Sequence, residues 1–163
     1  MDYQIVGLTG KKLYGLSTIL TRSQSQNYTI ITGFWRTFNN RLKSSGLSQK
    51  TRSWEKYAIT YKHDGSYRYF CGIPVYCPDF EEKVIRKGPH AVFRHQGPMY
   101  QLKDTVQIIY KQIVPSDKLQ PDASGYFHFE RYDHRFGWNN SNSEIEVYLP
   151  LMGTHSHNTF NSQ

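Results

Sequence analysis

Glu130 is the residue whose type and surroundings point most directly to chemistry. It lies in an aromatic run, YFHFERYD at residues 126–133, that is typical of a β-strand. Because side chains alternate between the faces of a strand, Glu130 shares a face with three neighbours: Tyr126, His128 and Tyr132. A carboxylate among aromatic rings is costly to bury unless another charge offsets it. The face is therefore either solvated, with Glu130 paired to a lysine or arginine, or part of a site that takes a cation.

Other residues carry weaker chemical signals. Cys71 and Cys77 flank GIPVY, a spacing that fits neither a redox CxxC motif nor a zinc site, so we expect two reduced thiols. His90 and His95 would face opposite sides of a strand and could not form a metal pair by themselves. The sequence has no GxSxG, P-loop or GxGxxG motif. We predict neither a metal nor a cofactor.

Composition narrows the class of protein. The 163 residues, 37% hydrophobic and 20% charged, fit one globular domain. Neither a signal peptide nor a long apolar span is visible, so we expect a cytoplasmic protein that does not enter membranes. The net charge of +7 comes from scattered lysines and arginines without a DNA- or RNA-binding motif, which argues against a dedicated DNA reader. The aromatic content of 15% suits a binding surface or a β-rich core.

The periodicity predicts two helices among several strands. Apolar residues spaced i, i+3, i+4, i+7 indicate helices over residues 28–43 and 99–114, the second ended by Pro115. A long first strand is expected at 11–21, and an Asp64-Gly65 turn predicts a hairpin. The other expected strands, including both arms of that hairpin, are 54–61, 66–75, 82–85, 90–95, 126–132 and 143–151.

These elements repeat along the chain. The apolar positions of the two helices superpose at an offset of 75 residues, and the closing strands GIPV and YLPL at an offset of 76. We therefore predict one α+β domain over residues 1–152, built from two pseudo-symmetric βαββ repeats (about 1–78 and 79–152) with antiparallel sheets. A ligand cleft is expected at the seam between the repeats. Residues 153–163 are expected to form a disordered polar tail.

The ordered set of motifs FWRTF, GIPV, HAVFRHQGP, IIY, FHFERYD and EVYLPL resembles the GyrI-like, or effector-binding, domain. The resemblance covers about residues 2–152. It implies a standalone bacterial protein that binds lipophilic, often cationic drug-like molecules between aromatic rings. A buried glutamate at the position of Glu130 and a tyrosine at that of Tyr148 would line the cleft. Regulators of this family add a DNA-binding domain, which this sequence lacks, so direct specific DNA binding is not expected.

The resemblance also leaves two alternatives open. Some standalone members hydrolyse cyclopropane-containing toxins, and in such an enzyme Glu130 and Tyr148 would be catalytic. Another standalone member binds DNA gyrase, so an inhibitory protein partner is a further alternative.

Further aromatic residues are candidates for the cleft. Tyr148 alternates with Val147 and Leu149, which would face the core, so we expect it on the open side. Either Tyr132 or His128 could hydrogen-bond Glu130 and hold it ionised, and simple exposure on the strand is an equal alternative for His128. Large aromatics at helical spacing are more often core than ligand contacts, yet six more residues are retained as candidates: Trp35, Tyr110, Tyr61, Trp138, Tyr14 and Phe93.

Overall fold

The computed structural model describes residues 1–47 and 55–153, which form eight strands and two helical regions. The predicted polar tail and Trp54 lie outside the described residues, apart from Gly153. The strands are β1 (Tyr3–Leu8), β2 (Lys11–Ile19), β3 (Lys56–His63), β4 (Ser66–Ile73), β5 (Glu81–Ile85), β6 (Gly88–Gln96), β7 (His128–Tyr132) and β8 (Glu144–Pro150). None of the helices in the described ranges combines the length and hydropathy that a membrane span requires.

One antiparallel sheet contains all eight strands, in the order β1-β6-β8-β7-β3-β4-β2-β5. β3 and β7 pair at the centre of the sheet. Counted outward from this pair, the order β3-β4-β2 on one side is repeated as β7-β8-β6 on the other. This symmetry confirms the predicted α+β fold with two βαββ units, which share one curled sheet. β1 was not predicted: it extends the second unit beside β6, while β5 extends the first unit beside β2.

The first helix, α1 (Gln24–Ser44), begins four residues before the predicted start. Ser23 caps it by accepting a hydrogen bond from the Gln26 backbone N–H, a local signal that apolar periodicity does not carry. Gly46 follows the helix with φ of +71°, a left-handed conformation that suits glycine and ends the helix. The buried face consists of Trp35, Phe38 and Leu42.

The second helical region, residues 99–116, is irregular where the sequence predicted a regular helix. A 3-10 turn (Met99–Gln101) leads into α2 (Leu102–Ile108), a π-helical turn (Ile109–Ile113) and α3 (Val114–Ser116). Pro115 lies inside α3 rather than after the helix, at a position near its start where the missing N–H is tolerated.

The two faces of the sheet bury different cores. The larger core packs the helices against one face and includes Phe38, Phe93 and Val147. On the other face a smaller aromatic core includes Phe70 and Phe129. The sheet curls around this second face, since Lys83 Nζ on β5 lies 4.1 Å from the ring centroid of Tyr61, three strands away.

Close contact between β2 and β4 requires glycine at position 15, where a Cβ atom would overlap the Cys71 carbonyl. We predict that Gly15→Ala lowers the free energy of unfolding by at least about 3 kcal/mol. Gly33→Ala is the matched control, because Gly33 lies within α1 and a Cβ there meets nothing within 4 Å. That change should raise stability by about 0.5–1 kcal/mol. Urea unfolding measures both, and equal stability of the two variants would contradict the close strand contact.

Candidate functional site

Glu130 lies in the middle of the sheet, on the strand at the seam between the two units. Its cross-strand partners are Ala58 on β3 and Val147 on β8. Neither neighbour carries a charge, and only 4% of Glu130 is exposed. The solvated alternative for this carboxylate is therefore excluded, and the group that offsets its charge has to come from elsewhere.

A cleft of about 220 Å³ opens above Glu130, between α1, the helical region 99–116 and the sheet. Both helical regions contribute apolar walls, which are formed mainly by Tyr28, Ile31, Met99, Leu102 and Val106. The sheet provides the floor: Thr60, Tyr69, His128 and Glu130. The site is thus an apolar pocket with one carboxylate at its base, at the seam where the repeat predicted a cleft.

Two side chains of its own strand contact the Glu130 carboxylate. The Tyr132 hydroxyl donates to Oε1 at 2.7 Å, and His128 Nε2 lies 3.4 Å from Oε2. The expectation that these three residues share a face is confirmed. Within residues 1–47 and 55–153, His128 is the one base that pairs with this carboxylate.

Buried hydroxyl groups surround the carboxylate and stay protonated. Burial, together with the negative charge of Glu130, raises the pKa of Tyr69 and of Tyr132 well above the usual value. The indole N–H of Trp35 donates to the Tyr69 hydroxyl at 2.9 Å. The Trp35 ring packs edge-on against the Tyr132 ring, with 5.1 Å between the ring centroids. Trp35 therefore supports the floor of the cleft from behind and does not line it.

The π-helical turn directs Tyr110 toward His128. The Tyr110 hydroxyl donates to the Phe127 carbonyl at 3.0 Å and lies 3.0 Å from His128 Nδ1. A hydroxyl has only one proton to donate. Because Tyr110 donates it to the carbonyl, the Tyr110 oxygen is left to accept from an N–H at Nδ1. This contact orients the histidine ring with Nε2 toward Glu130. π-helical turns are often found at functional sites.

Carboxylates on the other face of the sheet are neutralised by arginine. Arg131 contacts Glu55, Asp133 and Glu146 at 2.9–3.1 Å. Although burial opposes ionisation of Asp133, its hydrogen bonds and charge contacts with Arg135 and Arg131 hold its pKa well below the usual range. Glu130 differs from these groups because it has no arginine partner among the described residues.

The structure contradicts the prediction that Tyr148 lines the same cleft as Glu130. Val147, and not Tyr148, pairs with Glu130 across the strands, so Tyr148 points to the opposite face. There its ring stacks on Phe129 at 4.4 Å and its hydroxyl donates to Glu146. The expectation that Val147 and Leu149 face a core was right, but that core lies on the cleft side.

Four other candidates also lie away from the cleft. Tyr61 is on the opposite face, beneath Lys83. Phe93 is fully buried and packs against Tyr3. Two more are peripheral to the larger core: Tyr14 contacts Tyr76, and Trp138 contacts Phe136.

Sequence reasoning missed several residues of the cleft. Tyr69 and Thr60 lie in the predicted first hairpin, but which hairpin face meets Glu130 depends on the β3–β7 pairing between the two units. Tyr28 and Met99 stand near the ends of predicted helices, where periodicity alone does not fix orientation. Knowledge of the register between β3 and β7 would have identified Tyr69 and Thr60 as residues of the cleft.

Comparison with known proteins identifies the family. The model of the GyrI-like small molecule binding domain matches residues 1–152. The chain belongs to this family. A short stretch of this GyrI-like domain is also similar to the transcriptional regulator BrlR of Pseudomonas aeruginosa PAO1, 36% identical over 63 residues. That match covers 38% of this chain and 23% of BrlR.

Solved structures share the fold of this GyrI-like domain. SAV2435 bound to tetraphenylphosphonium superposes with a TM-score of 0.73 at 18% identity, covering 98% of this chain and 99% of that one. A hydrolase from Listeria innocua gives a TM-score of 0.52 at 10% identity, covering 93% of this chain and 92% of the other. At these identities the likeness establishes the common fold.

The contacts of Glu130 predict that its charge does not stabilise the free protein. In Glu130→Gln the amide oxygen can accept from Tyr132, and the amide N–H can donate to His128 Nε2. We expect the melting temperature to stay equal or rise, because the amide satisfies both contacts and removes a buried ionisable group.

The matched control is Glu146→Gln, which removes a charge from Arg131 and should cost about 1 kcal/mol, or about 2–4 °C. Scanning calorimetry without ligand compares the two variants. A lower melting temperature for Glu130→Gln than for Glu146→Gln would show that Glu130 is a structural residue.

Proposed function

We propose that this GyrI-like domain binds lipophilic aromatic cations in the cleft above Glu130. The observation that carries the proposal is a carboxylate, 4% exposed, at the base of an apolar pocket and without a lysine or arginine partner in the described chain. Such a group is costly in the free protein and gains most from a ligand that brings a positive charge.

The chemistry of the walls favours a cation that is large and apolar. A small hydrated ion would lose water from its shell against Ile31, Leu102 and Val106, whose side chains offer no oxygen ligand in exchange. An aromatic cation instead gains from burial of its apolar area, about 25 cal/mol per Å². Tyr28 and Tyr69 also line the pocket, and a ring that turns its face to the cation adds cation–π attraction of about 0.5–2 kcal/mol.

Similarity supports the same ligand class. SAV2435, which has this fold, was solved with tetraphenylphosphonium, an organic cation with four apolar rings. Its charge is shielded by those rings and offers no hydrogen-bond donor. Recognition of such an ion depends on apolar contact together with a counter-charge, and the cleft above Glu130 contains both.

A ligand of this size requires the cleft to widen. The cavity of about 220 Å³ is below the roughly 300–1,000 Å³ typical of drug-sized sites. Gln24 on α1, which lines the cleft, accepts a hydrogen bond at 3.1 Å from Gln107 on α2, and this contact between the two helical regions is exposed. Water can replace this hydrogen bond at a net cost of about 1 kcal/mol, so the two helical regions can separate there.

The hydrolase alternative required Glu130 and Tyr148 to act together in one site. Glu130 and Tyr148 point to opposite faces of the sheet, so they cannot act on one substrate. Tyr132, rather than Tyr148, is the hydroxyl group on the carboxylate. A gyrase partner, a cytoplasmic location and the absence of specific DNA binding stay predictions from the sequence.

The test is titration with tetraphenylphosphonium, followed by tryptophan fluorescence or calorimetry. We predict that Glu130→Gln weakens binding at least about 30-fold, equivalent to about 2 kcal/mol, because a buried charge pair is lost. Glu144→Gln removes an equal charge outside the cleft and should leave the affinity within about twofold.

A neutral probe separates charge recognition from apolar contact. Triphenylphosphine oxide should bind the parent and Glu130→Gln about equally, since it brings no charge to the carboxylate. If Glu130→Gln binds tetraphenylphosphonium as tightly as the parent, Glu130 is not the counter-charge and the proposal fails.

A further inference from the structure

We infer that Glu130 and His128 hold one proton between them in the free domain and release it when a cation binds. The inference rests on the proposed function and adds a specificity determinant, His128, to the same site. The site then exchanges a proton for the charge of its ligand. Its preference between cationic and neutral ligands depends on pH through this pair.

Contacts at Nδ1 define the tautomer of neutral His128. The Phe127 carbonyl can only accept, so the Tyr110 hydroxyl gives it its single proton at 3.0 Å. The lone pair of that hydroxyl is then left for Nδ1 of His128, also at 3.0 Å. Nδ1 is therefore the protonated nitrogen of the neutral ring, and Nε2 has a lone pair.

The other ring nitrogen, Nε2, faces the Glu130 carboxylate. It lies 3.4 Å from Glu130 Oε2, and His128 and Glu130 are 8% and 4% exposed. With a neutral ring and an ionised carboxylate, two acceptors would meet in a site that admits little water. One additional proton, on Nε2 or on Oε2, removes this conflict and turns the contact into a hydrogen bond. The pair then has no net charge.

The phenol and thiol groups around the pair are neutral and therefore do not offset the charge of Glu130. Burial, together with the charge of Glu130, raises the pKa of the Tyr69, Tyr110 and Tyr132 phenols and of the Cys71 thiol, so these groups remain neutral. The titratable and charged groups facing the pair or the cleft come from β7, β4, the helical region, α1 and β3: Tyr132, Tyr69, Cys71, Tyr100, Tyr110, Lys103, Tyr28 and Lys56. Lys56 donates to Asn39 at 2.8 Å, and Lys103 lies on the wall.

A bound cation displaces the shared proton. A cation in the cleft places a positive charge above a carboxylate that already shares one proton. Two positive charges on one carboxylate repel each other in a buried site, so the proton leaves to solvent through the cleft. The balance is one cation bound and one proton released. His128 is left neutral, with Nδ1–H still donating to Tyr110.

The exchange of a proton for a cation determines the sign of the pH dependence of binding. Where the free pair holds its proton, release of one proton per cation makes the association constant rise about tenfold per unit of pH. A neutral ligand of similar shape releases no proton, so its affinity should not change over the same range. Acidic conditions therefore favour neutral ligands over cations.

Calorimetry in two buffers counts the protons directly. Tetraphenylphosphonium is titrated into the full chain at the same pH in phosphate and in Tris, which differ in ionisation enthalpy. The difference in observed heat should correspond to release of about one proton per cation. Triphenylphosphine oxide, titrated in parallel, should give the same heat in both buffers.

Two variants assign the proton to the pair. Tyr110→Phe removes the acceptor for Nδ1, so the neutral ring can place its single proton on Nε2, toward Glu130. His128→Gln offers the carboxylate an amide N–H in place of the shared proton. Both should still bind the cation but release close to none. His134→Gln, an exposed loop histidine, should release as many protons as the parent.

The outcomes separate this inference from the function on which it rests. If the parent binds tetraphenylphosphonium without proton release, or if release persists in His128→Gln, the shared proton is refuted while cation binding stands. If the parent does not bind the cation at any pH tested, the proposed function fails and the inference fails with it.

Discussion

Burial of the Glu130 carboxylate at the seam of the sheet is the constraint on which the rest of the site depends. The strands that flank it contribute Ala58 and Val147, so the sheet provides no charge to offset it. The hydroxyl of Tyr132 and the ring of His128 satisfy its oxygens without an arginine. A group arranged in this way is poorly suited to stabilising the fold and well suited to a positively charged ligand.

The duplicated fold explains why the carboxylate can be kept there. Each unit packs its helical region on its own half of the sheet, and the cleft lies between the two regions above Glu130. At the edges of the sheet, β1 pairs with β6 of the second unit and β5 pairs with β2 of the first. These pairings connect the two units away from the cleft. The seam can therefore hold a polar group and an open volume while the edges remain paired. The arginine network on the opposite face neutralises Glu146 on β8 and Asp133 just after β7.

Local patterns in the sequence predicted much of this arrangement. Strand alternation placed His128, Glu130 and Tyr132 on one face, and the internal repeat placed a cleft at the seam. Alternation could not decide which face of β8 meets Glu130, because the answer depends on the register between strands. That is why Tyr148 was assigned to the wrong face. The π-helical turn was equally hidden, since periodicity describes regular helices and not the extra residue that directs Tyr110 toward His128.

The most direct test of the account is a crystal structure of the domain with tetraphenylphosphonium. The account predicts the phosphonium between α1 and the helical region 99–116, with the Glu130 carboxylate as its nearest charged group and the Gln24–Gln107 contact broken. A ligand bound instead on the opposite face of the sheet, against Tyr148 and Phe129, would contradict it. So would a ligand in the cleft whose nearest charge is not Glu130.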